Sequence, residues 1–141
     1  MPIEIPDDYA YVIAAAGATM FPLFYGAVRV MRARKEYGVE YPNLYAPADS
    51  KHKKAFDCVQ RGHQNTLENY APTVMCGLMS GLAYPSASAA LLTVWSVGRV
   101  AYIHGYAKGD PRGRSTGAMV SHLGDLPLFF MTFAAAWTLM A

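Results

Sequence analysis

The sequence predicts an all-α integral membrane protein, a bundle of four transmembrane helices in one domain covering residues 1–141. Of its residues, 53% are apolar and only 16% are charged, whereas soluble domains carry about 25% charged residues. The charges are clustered, and long apolar runs separate the clusters. The basic residues fall in alternate connections between those runs, as in multi-pass membrane proteins. These observations predict spans at about residues 8–34, 54–83, 86–108 and 116–140.

The first predicted span begins after two acidic residues, Asp7 and Asp8, which can cap a helix. Its apolar body, Tyr9–Val28, is about twenty residues long and therefore just long enough to cross a bilayer. Pro22 lies inside this run and predicts a kink, which neighbouring helices tolerate in lipid. Because the acidic N-terminus lacks the basic region of a signal peptide, we expect this span to be retained.

A polar segment separates the first two predicted spans. The stretch EYGVEYPNLYAPADSKHKK, residues 36–54, contains prolines and a glycine without helical periodicity, which predicts a loop. The second span combines a polar first half, DCVQRGHQNTLENY (residues 57–70), with an uncharged second half, residues 71–83. A polar half that leads into such an apolar run is costly in a membrane unless another polar group meets it.

The last two spans follow a tight turn and a basic loop. Tyr84 and Pro85 form the turn, and Ser86 is the expected N-cap of the third span. That span carries a single charged residue, Arg99. The loop KGDPRGRSTG, residues 108–117, leads to the fourth span, with its serine or threonine as the expected cap.

Lysine and arginine predict the orientation in the membrane. The loops between spans one and two and between spans three and four hold almost all of these residues. The two termini and the turn between spans two and three hold none. The positive-inside rule therefore puts both basic loops on the cytoplasmic side and both termini on the other side.

Five polar side chains of the second span share one helical face at about 100° per residue. They are Asp57, Arg61, Gln64, Asn65 and Glu68. His63 and Leu67 point elsewhere. The plainer interpretation is a cytosolic helix end with solvated i,i+4 pairs. It suits Asp57 and Arg61 better than Glu68, because no charge follows Glu68 for thirty residues.

The hairpin of spans two and three brings this stripe level with the charge of the third span. Glu68 and Arg99 each lie about fifteen residues from the turn, or roughly 22 Å along each helix. Two lone charges at that depth are costly. We therefore expect Glu68 and Arg99 to neutralise one another or to share the charge of a ligand.

The same count places Asn65 near Tyr102 and Arg61 near Tyr106. Two polar faces therefore meet, and they open towards the cytoplasmic side. A self-satisfied buried network without a ligand is one interpretation. Because guanidiniums, phenols and amides outnumber the carboxylates, the inventory also suits a small anionic, peptide-like molecule.

Three segments carry a resemblance to a known family. They read YPNLYA (residues 41–46), FDCVQRGHQNTLENY (56–70) and VGRVAYIHGYAKGDPRGRSTGA (97–118). Over nearly the whole chain, their order and spacing resemble the MAPEG family of membrane proteins that handle glutathione. Within that family the resemblance is to the branch of type 3 microsomal glutathione S-transferases. It implies a homotrimer of four-helix subunits, with glutathione bound between neighbouring subunits near the cytoplasmic side.

The resemblance also implies roles for individual residues. The residues implied as ligands of glutathione, the co-substrate, are Arg34, Arg61, His63, Gln64, Asn65, Glu68, Arg99, Tyr102 and Tyr106. The arginine that activates the thiol is Arg114, with Arg112 as its competitor in the same loop. Tyr70 departs from the pattern, because it points away from Arg61 on a straight helix. Lys35 stands where some relatives carry a second arginine.

The activity that the resemblance implies is attack by glutathione thiolate on a hydrophobic electrophile from the lipid, including leukotriene C synthase-like addition to an epoxide. Reduction of a lipid hydroperoxide is implied as well. In the alternative, the protein presents lipids to a partner enzyme without catalysis, as some members of the family do. A channel or proton relay built on His122 and Asp125 is a third class, but their i,i+3 spacing predicts a local pair near a helix start.

Other functions find less support in the sequence. A formal net charge of +2, without a basic stripe interleaved with aromatics, gives no support to nucleic-acid binding. No grouping of histidine and cysteine has metal-ligand spacing, and Cys58 and Cys76 lie too far apart on one helix for a disulfide. We expect a membrane of the endoplasmic reticulum or another organelle in a eukaryote, and the inner membrane in a bacterium.

Overall fold

Six helical segments make up the regular structure of residues 4–140, the part of the chain that the computed structural model describes. They are α1 (Tyr9–Ala18), α2 (Met20–Tyr37), α3 (Lys53–Gly81), α4 (Pro85–Tyr106), a 3₁₀ turn (Pro111–Arg114) and α5 (Ser115–Met140). Since α1 leads into α2 and the 3₁₀ turn leads into α5, the segments form four rods. The prediction of an all-α fold is confirmed for these residues.

The first rod is interrupted at one residue, Thr19, between α1 and α2. The cause lies one turn further on, at Pro22. A proline ring has no N–H and clashes with the carbonyl four residues earlier, which here belongs to Ala18, the last residue of α1. The Thr19 side chain is buried, and its hydroxyl donates a hydrogen bond to the carbonyl of Ala16. The kink predicted at Pro22 therefore takes the form of a break one turn before it.

Two rods begin differently from the prediction. The helix α4 begins at Pro85, so Ser86 is not its cap. The last rod begins at Pro111, where the Asp110 carboxylate accepts a hydrogen bond from the backbone N–H of Arg112 at 3.0 Å, in place of the expected serine or threonine cap. Proline explains both differences, because its fixed φ suits the first position of a helix.

Three of the rods are long and apolar enough to cross a membrane. They are Tyr9–Tyr37, Pro85–Tyr106 and Pro111–Met140. The helix α3 is also long enough, at 29 residues or about 44 Å. The polar side chains of its first half make it less apolar than the other rods. Four crossings therefore stay a prediction, which depends on α3.

The helix α4 lies at the centre of the bundle and packs against α1, α2, α3 and α5. Its fully buried side chains include Leu92, Trp95 and Ile103. Towards α5 the contact is so close that a Cβ added to Gly98 would collide with Ser121. A Cβ added to Gly117 would likewise collide with the backbone of Tyr102. Small residues at such contacts are how helices associate in lipid.

We expect Gly117→Ala to destabilise the protein by about 1–3 kcal/mol, the usual cost of overpacking a well-packed contact. The methyl group would overlap the Tyr102 backbone, which cannot withdraw because the rest of α4 is packed. Thermal unfolding in detergent measures the effect. The matched control is Gly17→Ala, since nothing lies within 4 Å of the Cβ that it adds. Equal stability of the two variants would contradict the close approach of α4 and α5.

Side chains of α2 and α3 hold the loop between them, residues 38–52. The Arg34 guanidinium donates to the carbonyl of Asn43 at 2.8 Å. The Asp57 carboxylate accepts hydrogen bonds from the backbone N–H of Ala46 at 3.0 Å and from the Lys53 ammonium at 2.8 Å. Lys53 also donates to the Ala46 carbonyl at 2.9 Å. Asp57 therefore anchors the loop, although its helical face is that of the polar stripe.

Asp57→Ala is expected to loosen this loop, because it removes both hydrogen bonds that the carboxylate accepts. A charged hydrogen bond contributes about 1.5 kcal/mol or more, so we expect amide exchange across residues 43–50 to accelerate about tenfold. Hydrogen–deuterium exchange read by mass spectrometry measures this. Asp49→Ala, an exposed carboxylate of the same loop, is the control. The anchoring role is wrong if the two variants exchange alike.

Candidate functional site

Three polar side chains form a connected stripe on α3. The Arg61 guanidinium donates to Oε1 of Glu68 at 3.1 Å, and the Asn65 amide donates to Oε2 of Glu68 at 3.3 Å. The stripe is accessible, because the side chains of Arg61 and Glu68 are 37% and 47% exposed. In a membrane, an ion pair exposed in this way is costly unless another polar group covers it.

The buried guanidinium of Arg99 joins this stripe from α4. Arg99 is only 2% exposed. Its Nη2 donates to Oδ1 of Asn65 at 2.7 Å, and Nη2 and Nε donate to Oγ1 of Thr66 at 3.0 and 3.2 Å. The expectation that Arg99 and Glu68 lie level is met. A direct ion pair between them is not formed within residues 4–140, where Asn65 connects the two instead.

This arrangement gives Arg99 a positioning role. Because Oδ1 of Asn65 accepts from the Arg99 guanidinium, the amide group of Asn65 must turn towards Glu68. The Thr66 hydroxyl uses its own proton on the carbonyl of Gly62 at 2.9 Å, which leaves its lone pairs to Arg99. The orientation of the stripe is therefore set from α4.

Two tyrosines continue from Arg99 along α4 towards its C-terminal end. The guanidinium carbon of Arg99 lies 4.1 Å from the centre of the Tyr102 ring, a cation–π contact. The rings of Tyr102 and Tyr106 pack edge to face, with their centres 5.6 Å apart. Both tyrosines are buried, so they link the stripe on α3 rigidly to the loop that follows α4.

Arg114 is the last residue of a chain of contacts that begins at Glu68 on α3. Its Nη1 donates to the hydroxyl of Tyr106 at 3.4 Å, and its guanidinium carbon lies 5.2 Å from the centre of the Tyr106 ring. The side chain of the competitor, Arg112, forms no hydrogen bond or ion pair with any described residue. Its backbone N–H donates to the Asp110 carboxylate, and its backbone carbonyl accepts from the Ser115 hydroxyl. The geometry therefore favours Arg114 over Arg112 as the candidate for the arginine that activates the thiol.

A basic cavity of about 590 Å³ opens beside Arg61 and Tyr106, and both residues line it. This meets the expectation that the two lie close together. The other cations at the cavity are Lys51, Lys53 and Lys54. Asp57, the carboxylate among the lining residues, is paired with Lys53. The remaining positive charge favours an anionic ligand in this cavity.

Three of the residues implied as ligands lie outside the chain of contacts. Arg34 is held by the loop after α2, where its guanidinium stacks on a tyrosine ring. His63 packs against Gly26 of α2, and its buried Nδ1 has no hydrogen-bond partner among residues 4–140. Gln64 accepts a hydrogen bond from the Tyr45 hydroxyl at 3.1 Å and so belongs to the contact between α3 and the loop.

Two more residues of α3 bear on the site. Thr66 also contributes to the site, because its hydroxyl accepts hydrogen bonds from Arg99, and the polar stripe did not predict this. Its position next to Asn65, on the side of α3 that faces α4, could have indicated it. The Tyr70 hydroxyl donates to the sulfur of Met20 at 3.2 Å. Tyr70 therefore faces the first rod and lies away from Arg61, as a straight helix predicts.

A known protein family matches most of the chain. The sequence profile of the MAPEG family matches residues 12–137. The match extends over all four rods and includes every residue of the chain of contacts from Glu68 to Arg114.

Proposed function

The chain belongs to the MAPEG family, and on this premise we propose that it is a membrane-bound glutathione transferase that also reduces lipid hydroperoxides. The observation that carries the proposal is the chain of contacts from Glu68 through Asn65 and Arg99 to Tyr106 and Arg114. This chain of contacts joins the polar stripe of α3 to Arg114, which follows α4 in the sequence, and it lies beside the basic cavity. The resemblance to type 3 microsomal glutathione S-transferases supports the same activity.

The donors and acceptors of this site fit glutathione. The tripeptide carries two carboxylates, one ammonium group and two amides besides its thiol. Arg61 and Tyr106, with the lysines of the basic cavity, supply donors for the carboxylates. Glu68 supplies the acceptor for the ammonium, and the Asn65 amide suits a peptide group. Arg99, which is buried, acts through Asn65 as a positioning residue.

In this proposal Arg114 supports the thiolate. A free thiol has a pKa near 8.5, so only a few per cent is ionised at pH 7. A guanidinium in hydrogen-bond reach favours the anion and lowers the pKa of the thiol. Arginine suits this role because it stays charged and does not take up the proton itself. The hydrogen bond to Tyr106 holds the guanidinium in place before the ligand binds.

The second substrate comes from the membrane. In the transfer reaction a bond forms between sulfur and carbon, and the leaving group departs or an epoxide opens. In the peroxidase reaction two glutathione molecules reduce one hydroperoxide to an alcohol and water, and they leave as the disulfide. The apolar outer faces of the rods, with Phe21, Phe24, Phe130 and Phe133 exposed, suit hydrophobic acceptors dissolved in lipid.

We further propose a homotrimer in which glutathione lies between subunits. The support is the exposure of Arg61 and Glu68 on a helix among apolar rods, which a neighbouring subunit and a ligand can cover together. Arg34, His63 and Gln64 are left out of the ligand set of this subunit, because Arg34 and Gln64 are hydrogen-bonded to the loop after α2 and His63 packs against Gly26. The membrane is that of the endoplasmic reticulum or another organelle in a eukaryote, or the inner membrane in a bacterium.

Purified protein in detergent tests the proposal with glutathione and three acceptors: an aryl halide, a lipid epoxide and a lipid hydroperoxide. Turnover of any of them at a rate above the uncatalysed reaction is the expected result. Glutathione binding without turnover would favour the alternative, a lipid-presenting protein that acts through a partner enzyme. Absence of both binding and turnover would overturn the glutathione assignment.

A further inference from the structure

A groove of about 630 Å³ lies along the exposed side of α4, between α2 and the last rod. We call it the outer groove, and the side chains that define it are those of Tyr25, Val97, Ala101, His104, Lys108 and Thr116. The three that belong to α4 are spaced i, i+4 and i+7, so they share one face of that helix. At about 100° per residue, the polar face that carries Arg99, Tyr102 and Tyr106 points the opposite way. The outer groove is therefore separated from the candidate glutathione site by the width of α4.

The outer groove is apolar at one end and polar at the other. Val97 lies about 14 Å before the last residue of α4, and it is 62% exposed. Lys108 lies at the other end, in the loop that follows α4. The apolar half therefore belongs to a segment that can cross a membrane, and the positive-inside rule puts Lys108 at the cytoplasmic surface. A molecule that fills the groove has to carry a polar group at that surface and an apolar part within the membrane.

The polar end of the outer groove is positively charged. Lys108 forms no ion pair with any residue of the range 4–140, and the lining residues include no carboxylate. A second cation lies close by, because the guanidinium carbon of Arg29 is 6.0 Å from the centre of the Tyr25 ring. Two neighbouring carboxylates lie outside the groove, since Asp110 caps the last rod and Glu36 lines a separate small cavity. The charge at this end therefore favours an anionic group.

His104 offers a hydrogen-bond donor four residues before Lys108. Its Nδ1 lies 3.2 Å from the hydroxyl oxygen of Tyr25. When that hydroxyl donates to Nδ1, the neutral imidazole carries its proton on Nε2, and the protonated imidazole carries a proton there as well. The Thr116 hydroxyl, which has no hydrogen-bond partner in the described part of the chain, is a further donor. An anion in the groove would therefore receive hydrogen bonds as well as a favourable potential.

We propose that the outer groove binds an anionic glycerophospholipid of the cytoplasmic leaflet. The phosphodiester group of such a lipid accepts hydrogen bonds from Lys108 and His104, while one acyl chain lies along Val97 and Ala101. Charge complementarity selects an anionic lipid, because a zwitterionic lipid brings its own ammonium group next to Lys108 and Arg29. The site goes beyond the proposed function, since it uses neither glutathione nor the chain of contacts.

Lipid binding to the purified protein in detergent tests this inference. Palmitoyl-oleoyl phosphatidylglycerol and the phosphatidylcholine with the same chains are titrated separately, and native mass spectrometry measures the bound lipid. We expect the phosphatidylglycerol to bind about tenfold more tightly, as one charge-assisted hydrogen bond predicts. Lys108→Ala should abolish this preference, and Lys108→Arg should keep it. The matched control is Lys35→Ala, which removes the same charge from an exposed position of α2 outside the groove and should also keep it.

A second variant tests the apolar half of the groove. Ala101→Trp fills the space between α2 and the last rod and leaves Lys108 in place. It should weaken the binding of both lipids, because the acyl chain loses its place. Unchanged binding of both lipids in this variant would contradict the position proposed for the chain.

Four further results would overturn the inference. Equal affinity of the wild-type protein for the two lipids, or a preference that survives Lys108→Ala, would remove the anionic site. Equal loss of preference in Lys35→Ala would reduce it to general attraction. Displacement of the lipid by an equal concentration of glycerol phosphate would assign the groove to a soluble phosphate. Dissociation of the oligomer in Lys108→Ala, with lipid binding unchanged, would assign the groove to a contact between copies.

The outcome is independent of the proposed function. Absence of glutathione conjugation in the wild-type protein would count against that function alone, because the lipid measurement uses neither glutathione nor turnover.

Discussion

Replacing Arg114 with alanine is expected to lower kcat for glutathione conjugation at pH 7 about 25-fold. The reason is electrostatic, because the guanidinium lowers the pKa of the bound thiol. A return of this pKa from about 6.5 to about 8.5, worth about 2.7 kcal/mol, reduces the thiolate fraction at pH 7 from about three quarters to about 3%. In the variant, the pKa of the bound thiol should return towards its free value of about 8.5. The ultraviolet absorbance of the thiolate, followed against pH in the binary complex, measures this directly.

The matched control is Arg112→Ala, two residues away in the same 3₁₀ turn. Its side chain forms no hydrogen bond, ion pair or cation–π contact with any described residue, so conjugation and the pKa of the thiol should stay as in the wild type. Arg114→Lys should restore part of the rate, since it keeps the charge without the planar donor set. The opposite result, in which Arg112→Ala loses conjugation and Arg114→Ala keeps the wild-type rate, would assign the role to Arg112.

Arg61→Ala is expected to weaken glutathione binding by about 10–100-fold, which is the value of one or two charge-assisted hydrogen bonds. Arg61 is the cation that both touches Glu68 and lines the basic cavity. Its loss removes a donor for a carboxylate and leaves Glu68 to repel the ligand's acidic groups. Calorimetric titration of glutathione into the purified variant gives Kd.

Arg32→Ala is the control for this second variant. It removes the same charge from an exposed position of α2, on the same predicted side of the membrane. Its Kd should stay close to that of the wild type at physiological ionic strength, where charges beyond about 8 Å are screened. Equal weakening in both variants would reduce the role of Arg61 to general attraction, and no weakening in either would remove it from the site.

The level of the polar residues in the hairpin was predictable because an α-helix rises by a constant amount per residue. Counting from Tyr84 and Pro85 places Arg99 beside the stripe of α3, and the structure shows it bonded to Asn65 there. The side chains of α3 to which Arg99 is hydrogen-bonded were not predictable. Counting gives depth to within about a turn, and Thr66 and Glu68 both lie within that range.

The contact between α4 and α5 was not predicted from the sequence. Gly98 reads as an ordinary residue of an apolar run, and Gly117 as the last residue of a basic loop, since periodicity detects apolar faces and not the absence of a side chain. Only the spatial register shows that each glycine faces a neighbouring backbone. Likewise, Asp57 shares the helical face of Arg61, but the position of Ala46 in the loop decides that it serves as an anchor.

The polar half of α3 explains why this is the rod whose crossing of the membrane stays a prediction. The side chains from Arg61 to Glu68 that build the candidate site also make this helix less apolar than the other three rods. The polar residues of the candidate site therefore make insertion of the same segment into a membrane less favourable. A helix of this kind is stable in lipid when neighbouring rods, a second subunit or a ligand cover its polar face.

The most direct test of the central claim is a structure of the protein in complex with glutathione, determined by electron cryomicroscopy in lipid nanodiscs. We expect the tripeptide in the basic cavity, with a carboxylate at Arg61, its ammonium at Glu68 and its sulfur within hydrogen-bond reach of Arg114. Density for glutathione at any other surface, with Arg61 and Arg114 both free of it, would contradict the assignment of the site.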